Sequence, residues 1–135
     1  MNEVHVVFFM KISERKYTCA VIDDDFSSIG ILTQYISMVP KLKLYKSFQN
    51  PLTAIEDLTK GGEIDFLFLD VNMPVSGFDV AKLLRDKVKY LVFVTGHPEH
   101  ALAAFGAEAD NFLVKPVSFS KFLNVLNAAI SSKVL

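Results

Sequence analysis

Three apolar runs that each end in charged residues constrain the fold of this chain more than any other feature. The runs are residues 21–24 (VIDD), 66–70 (FLFLD) and 111–116 (NFLVKP). A short apolar run that stops at a charge is typical of a strand buried on both faces, with the charge just beyond its carboxyl end. We therefore expect the three charged ends to meet at one edge of one parallel sheet, where open α/β sheets bind their ligands.

The pattern between these runs alternates strands with helices. Strands are predicted at 17–22, 42–48, 64–69, 90–94 and 111–114, and helices at 26–39, 51–60, 78–86, 98–105 and 118–130. The alternation of apolar and polar residues in 42–48 is typical of an edge strand. The last helix, with Ser118 as its cap, is predicted to bury one stripe: Phe119, Phe122, Leu123, Leu126 and Ile130. Five βα units predict an α/β fold with a doubly wound five-stranded parallel sheet in the order 2-1-3-4-5.

Length and composition fit one globular domain. The chain has 135 residues, of which 51% are hydrophobic and 21% charged, enough for one buried core. Its 14 basic and 15 acidic side chains create no overall field that favours nucleic acid or an anionic membrane. The single cysteine, Cys19, cannot form an internal disulfide, which favours a reducing, cytoplasmic location. Residues 16–132 are predicted to be the functional domain, and residues 1–15 an extension that either lies outside it or adds a strand to a sheet edge.

Carboxylates follow two strands that are neighbours in the predicted order. Asp23 and Asp24 follow the first strand and Asp70 follows the third, so we expect them to lie close together. Clustered carboxylates repel each other unless a cation lies among them, and Mg²⁺ prefers such oxygen ligands. The alternative is that Asp24 or Asp25 caps the next helix and Asp70 caps a turn, although a cap accounts for only one carboxylate at a time.

Lys115 and Thr95 follow the last two strands and reach the same edge. Three carboxylates and a lysine at one edge suggest a site for a phosphate group and a divalent cation. Lys115 is suited to pair with Asp70 at rest and with an oxygen of a phosphoryl group afterwards. The Lys115–Pro116 bond is a candidate for a cis peptide. The hydroxyl of Thr95 is suited to donate to the same phosphoryl oxygen.

Residues 17–130 resemble the receiver domain of bacterial two-component response regulators, the CheY-like domains. The resemblance is carried by residues in the order and at the strand ends that the family requires: Asp23, Asp24, Asp70, Thr95, Lys115 and Pro116. It implies that Asp70 accepts a phosphoryl group from a sensor histidine kinase, that Asp23, Asp24 and Asp70 hold Mg²⁺, and that Asn72 offers a backbone carbonyl to the metal. It also implies that Thr95 is the switch hydroxyl, Lys115 the phosphate-binding lysine and Phe112 the switch aromatic.

Finer features of the resemblance concern the subfamily, the partners and one loop. The segments 36–40, 95–102 and 115–119 are similar to receivers of LytTR-type regulators, in which a DNA-binding output domain would follow; a stand-alone receiver is the other possibility. A homodimer is expected through the fourth helix, the last strand and the last helix, with apolar residues 101–105 at its surface. Only two residues separate Pro74 from Gly77, one fewer than is usual in the family, which predicts a shortened loop after Asp70.

Two rival interpretations are of other classes. The sequence Asp70-Val71-Asn72 is weakly similar to the nucleophile motif of haloacid-dehalogenase-like phosphohydrolases, but those enzymes place the nucleophile after the first strand and need a general acid where Asn72 has no proton to give. A binding module that works without phosphorylation is the second rival. The three histidines do not form a metal-ligand set, so none is assigned a chemical role.

Overall fold

The structure is a computed structural model that describes residues 16–99 and 109–132. Its elements are β1 (Tyr17–Ile22), α1 (Phe26–Met38), β2 (Leu42–Phe48), α2 (Pro51–Lys60), β3 (Ile64–Asp70), α3 (Gly77–Leu84), a 3₁₀ turn (Arg85–Lys87), β4 (Val88–Thr95), β5 (Asn111–Val114) and α4 (Phe119–Ser131). The five predicted strands and four of the five predicted helices are confirmed, with small shifts at their ends. The predicted helix at 98–105, apart from its first two residues, and the predicted extension at 1–15 lie outside the described residues.

The five strands form one sheet in the order β2-β1-β3-β4-β5, and every neighbouring pair is parallel. This confirms the predicted fold. The central strands are apolar on both faces because helices cover both: residues 66–69 of β3 and 91–93 of β4 are completely buried. β3 includes Asp70, and β4 begins at Val88 and runs to Thr95, so both strands are longer than predicted.

Two separate hydrophobic clusters lie on the two faces of the sheet. Cys19 and Val21 of β1 belong to the cluster under α1 and α4, whereas Ala20 and Ile22 belong to the cluster under α2 and α3. This alternation follows from the two-residue period of a strand. The sheet is therefore packed on both faces, and its register fixes which residues stand side by side at its carboxyl edge.

The buried stripe of α4 was only partly predicted. Its buried residues are Phe122, Val125, Leu126 and Ala129. Ile130 is 37% exposed, so its predicted burial is wrong. At about 100° per residue, position 129 returns to within about 20° of position 122 whereas position 130 lies about 80° away, so the small Ala129 faces the core instead.

The edge strand β2 contains an irregularity that the sequence pattern did not predict. Its register against β1 shifts between Cys19 and Ala20, as in a β-bulge, and the simple alternation of its side chains is lost. Two consecutive side chains, Tyr45 and Lys46, both contact Asp57 of α2, with distances of 2.6 Å from the tyrosine hydroxyl and 2.6 Å from Lys46 Nζ to its two carboxylate oxygens. This contact fastens the edge of the sheet to the helix beside it.

Candidate functional site

The predicted carboxylates come together at the carboxyl edge of β1 and β3. Ile22 is paired with Leu69 in the sheet, which places the residues that follow them, Asp23 and Asp70, side by side. Asp23 is 1% exposed and Asp70 4% exposed, whereas Asp24 is exposed. One carboxylate oxygen from each of these three aspartates lies within 4.8 Å of the others.

Asp25, the neighbour of the acidic pair, is the N-cap of α1. Its carboxylate accepts hydrogen bonds from the Ser27 amide at 3.1 Å and from the hydroxyls of Ser27 and Ser28. The Ser27 hydroxyl and the other bonds of this cap lower the pKa of Asp25, and the positive charge of Lys115 adds to the effect. Because Asp25 serves as the cap, the capping alternative does not account for Asp24. Asp23 Oδ1 accepts a hydrogen bond from the Asp25 amide at 2.9 Å, which leaves Asp23 Oδ2 for other partners.

Lys115 reaches the buried pair of carboxylates from β5. Its Nζ lies 2.8 Å from Asp23 Oδ2 and 3.5 Å from Asp70 Oδ1. Its backbone amide donates to the Thr95 carbonyl at 2.7 Å, and the Lys115–Pro116 peptide is cis, as predicted. Burial alone would lower the pKa of Lys115, but the two carboxylates outweigh it and raise that pKa, so the side chain stays positively charged.

The carboxyl group of Asp70 is held in a state that favours its protonated form. Burial and then the negative charge of Asp23 raise its pKa from 3.8 to about 7, against the opposing effects of Lys115 and the Asn72 amide. Lys115 Nζ lies closer to Asp23 than to Asp70, so its positive charge only partly opposes the rise in the pKa of Asp70. The site therefore has an excess of negative charge that a divalent cation would offset.

The oxygen atoms fit the needs of a Mg²⁺ ion. One oxygen from each of the three carboxylates lies within 4.8 Å of the others, and hard oxygen ligands of this kind are the ones that Mg²⁺ prefers. Asp23 Oδ2 is buried and is paired with Lys115 without the alignment of a hydrogen bond, so it retains an acceptor position for a cation. Asp23, Asp24 and Asp70 are thus a suitable donor set among the described residues.

The loop after Asp70 folds back on the strand end. The Asn72 amide donates to Asp70 Oδ1 at 3.3 Å, and the Gly77 amide donates to the Val71 carbonyl at 3.0 Å. A Cβ atom at Gly77 would lie 2.2 Å from the Asp70 carbonyl oxygen, so only glycine fits at the start of α3. Gly77 thus positions the backbone of Asp70. From the sequence, Gly77 was identified only as the end of the loop, because its need for glycine comes from the close approach of the Asp70 backbone.

Thr95 and Phe112 lie on the same face of the sheet. Phe93 pairs with Phe112 and Thr95 with Val114, so Phe112 is diagonal to Thr95 on the adjacent strand. Thr95 is 1% exposed, and its Oγ1 accepts a hydrogen bond from the His97 amide at 3.1 Å. Phe112 is half-buried and packs against the cluster under α2 and α3. The two predicted switch residues are therefore close enough for a movement of one to change the packing of the other.

A tyrosine that the sequence analysis did not single out ties α1 to the segment that carries Lys115. The Tyr35 hydroxyl donates to the Val117 carbonyl at 2.8 Å, and its ring packs against Phe119 and Phe122. The two hydrogen-bonded residues are 82 positions apart. A contact of that sequence separation leaves no local pattern that would predict it.

A doubly wound parallel sheet with an acidic cluster and a lysine at its switch point defines a CheY-like domain. The sequence profile of the response regulator receiver domain matches residues 19–127, so this chain belongs to that family of signalling domains. Membership of this family decides against the phosphohydrolase alternative. No helix within residues 16–99 and 109–132 has both the length and the apolar character needed to cross a bilayer.

Comparisons with individual proteins agree with this family. The chain is 28% identical over 118 residues to Protein MrkE of Klebsiella pneumoniae, covering 85% of this chain and 44% of that protein. It is 30% identical over 112 residues to the Sensory transduction protein LytT of Enterococcus faecalis, covering 81% of this chain and 46% of that protein, in agreement with the LytTR-type resemblance. The crystal structure of the response regulatory domain of MrkE superposes with a TM-score of 0.75 at 27% identity, covering 85% of this chain and 96% of that domain. The chain therefore spans less than half the length of these two curated relatives.

Proposed function

We propose that Asp70 accepts a phosphoryl group from the phosphohistidine of a sensor histidine kinase, and that the resulting phosphoaspartate switches the face formed by β4, β5 and their helices. The observation that supports this most is the cluster itself: a buried Asp70 carboxylate beside two further carboxylates, with Lys115 Nζ at 3.5 Å. The carboxylate is the nucleophile in its ionised form, and the positive charge of Lys115, which would offset charge on the phosphoryl oxygens, is already beside it.

The residues of the cluster have separate tasks in this proposal. Asp23, Asp24 and Asp70, with the backbone carbonyl of Asn72, hold Mg²⁺, which when bound offsets negative charge on the carboxylates and the phosphoryl oxygens. Lys115 contacts a phosphoryl oxygen, for which it needs to move only a short distance from its contact with Asp70. Asp23 and Asp70 are almost fully buried, so charge interactions with these two carboxylates are stronger than they would be in bulk water.

The proposed switch uses the shared face of Thr95 and Phe112. The phosphoryl group attracts the Thr95 hydroxyl, which gives up its bond from the His97 amide and donates to a phosphoryl oxygen. The space that Thr95 leaves is then available to Phe112, whose rotation repacks the edge of the sheet at β5. A homodimer or a DNA-binding output domain would respond to that change. The helix expected to form part of the dimer surface lies outside the described residues.

The test is to incubate the protein with Mg²⁺ and acetyl phosphate and to measure its intact mass over time. We expect one phosphoryl group per chain, slowly lost, with no adduct in Asp70→Asn or after chelation of the metal. Asp65→Asn is a matched control, because Asp65 lies on the same strand at the opposite edge of the sheet, where it contacts Thr18 and Lys89. Continuous hydrolysis of acetyl phosphate without an adduct would favour an enzyme, and an unchanged mass would favour a binding module.

A further inference from the structure

A pocket of about 300 Å³ adjoins the phosphoryl-acceptor site between α1 and the segment that follows β5. Its walls are mostly apolar and include Ile31, Leu32 and Val117, and the charged residues Asp25 and Lys115 also line it. Lys115 lines the pocket and also lies 3.5 Å from Asp70, so the pocket begins where a phosphoryl donor would meet the acceptor. The proposed function gives this pocket no role.

The carboxylate of Asp25 is held at the rim of this pocket with one acceptor position left. A carboxylate has about four lone-pair positions. Three hydrogens are directed at Asp25, from the Ser27 amide, the Ser27 hydroxyl and the Ser28 hydroxyl. These bonds fix the orientation of the carboxylate, so a fourth donor could bind without rearrangement of the helix cap.

We propose that this pocket holds the imidazole ring of the phosphodonor, and that Asp25 accepts a hydrogen bond from the ring nitrogen that carries no phosphorus. This inference rests on the proposed function and specifies its donor. The apolar walls formed by Ile31, Leu32 and Val117 suit a flat ring. Lys115 would bind the phosphoryl oxygens, and Asp25 would accept the hydrogen bond from the ring N–H. An acyl phosphate has no N–H group that could donate to Asp25, so it would make fewer contacts in the same pocket.

The proposed contact affects the bond that breaks. An oxygen of Asp70 forms a bond to phosphorus while the bond from phosphorus to the ring nitrogen breaks, and its electron pair stays on that nitrogen. When the other nitrogen is protonated, the ring departs as neutral imidazole and the proton stays where it was. By accepting a charge-assisted hydrogen bond from this N–H, Asp25 keeps a larger fraction of the bound donor protonated, which is the form that leaves as neutral imidazole.

The experiment compares two small donors, phosphoimidazole and acetyl phosphate, with the wild-type protein and Asp25→Asn in saturating Mg²⁺. Asparagine caps helices about as well as aspartate, so α1 keeps its cap while the charge is lost. We expect the rate of Asp70 phosphorylation by phosphoimidazole, divided by the rate with acetyl phosphate, to fall at least tenfold in Asp25→Asn. Glu56→Gln, which removes an exposed carboxylate from α2, should keep the wild-type ratio.

The ratio separates this inference from the proposed function. If acetyl phosphate labels the wild-type protein but the ratio is the same in Asp25→Asn, the role of Asp25 is refuted and the proposed function stands. If neither donor labels the wild-type protein, both are refuted. Thermal unfolding of each variant shows whether it is folded, and because both donors react with the same folded fraction, a loss of stability cannot change the ratio.

Discussion

Replacement of Asp70 by asparagine should make the metal-free protein more stable at pH 8. Asp70 is 4% exposed, and burial together with the charge of Asp23 raises its pKa from 3.8 to about 7. Between these two pH values the folded state binds the proton more tightly than the unfolded state does, so stability falls as the pH rises through this window. Asparagine fills the same space without a charge and avoids this loss.

The size of the effect follows from the same pKa values. The difference between 3.8 and about 7 corresponds to at most about 4 kcal/mol, at about 1.36 kcal/mol per pKa unit. Solvent screening at the open edge of the sheet lowers the expected gain to about 2 kcal/mol. At pH 4 the wild-type carboxyl group is protonated in the folded protein, so the two proteins should differ much less.

Urea unfolding in the presence of a chelator, at pH 4, 6 and 8, measures this difference. Asp57→Asn is a control of opposite sign, because hydrogen bonds from Lys46 and Tyr45 lower the pKa of Asp57, so its removal should cost stability at pH 8. Added Mg²⁺ should stabilise the wild-type protein at pH 8 and have little effect on Asp70→Asn, because the bound ion favours the folded state. We expect Asp70→Asn to be more stable than the wild type at pH 8 without metal. If it is not, the conclusion that the metal-free site carries an excess of negative charge is refuted.

Three further predictions concern residues around the site and at the sheet edge. Gly77→Ala should destabilise the protein by about 1–3 kcal/mol in urea unfolding and weaken Mg²⁺ binding in calorimetry, because its Cβ would lie 2.2 Å from the Asp70 carbonyl oxygen. An unchanged Mg²⁺ affinity would show that this clash does not alter the site. Tyr35→Phe should lower the free energy of unfolding in urea by about 1 kcal/mol, because its hydrogen bond to the Val117 carbonyl is lost. It should also slow phosphorylation of Asp70, because the segment that carries Lys115 would move. Equal phosphorylation rates would limit Tyr35 to a structural role. Lys46→Met should lower the melting temperature at low salt but not at high salt, because the exposed ion pair with Asp57 is screened; a loss independent of salt would contradict this.

The predictable parts of the molecule are those that depend on local patterns. The apolar runs that end at Asp23 and Asp70 predicted both the strands and the edge at which their carboxylates meet. This worked because parallel strands all end at the same edge of the sheet. The capping alternatives were decided by the backbone geometry, which makes Asp25 the cap. The composition of this segment alone could not choose between two adjacent aspartates.

The parts that were missed depend on contacts between distant segments. The hydrogen bond of Tyr35 to the segment after β5 joins residues 82 positions apart, and the burial of Ala129 instead of Ile130 depends on how α4 is rotated against the sheet. The bulge in β2 likewise occurs where the strand contacts Asp57 of α2, a residue of a different element. Such features depend on tertiary packing, which sequence periodicity does not record.

The irregular outer strand has a consequence for how copies of this domain meet. A regular, flat margin offers its unpaired amides and carbonyls to any passing chain, and irregular spacing together with lysine side chains makes β2 a poor template for that addition. Copies of this domain are therefore less prone to associate non-specifically through the edges of their sheets at β2.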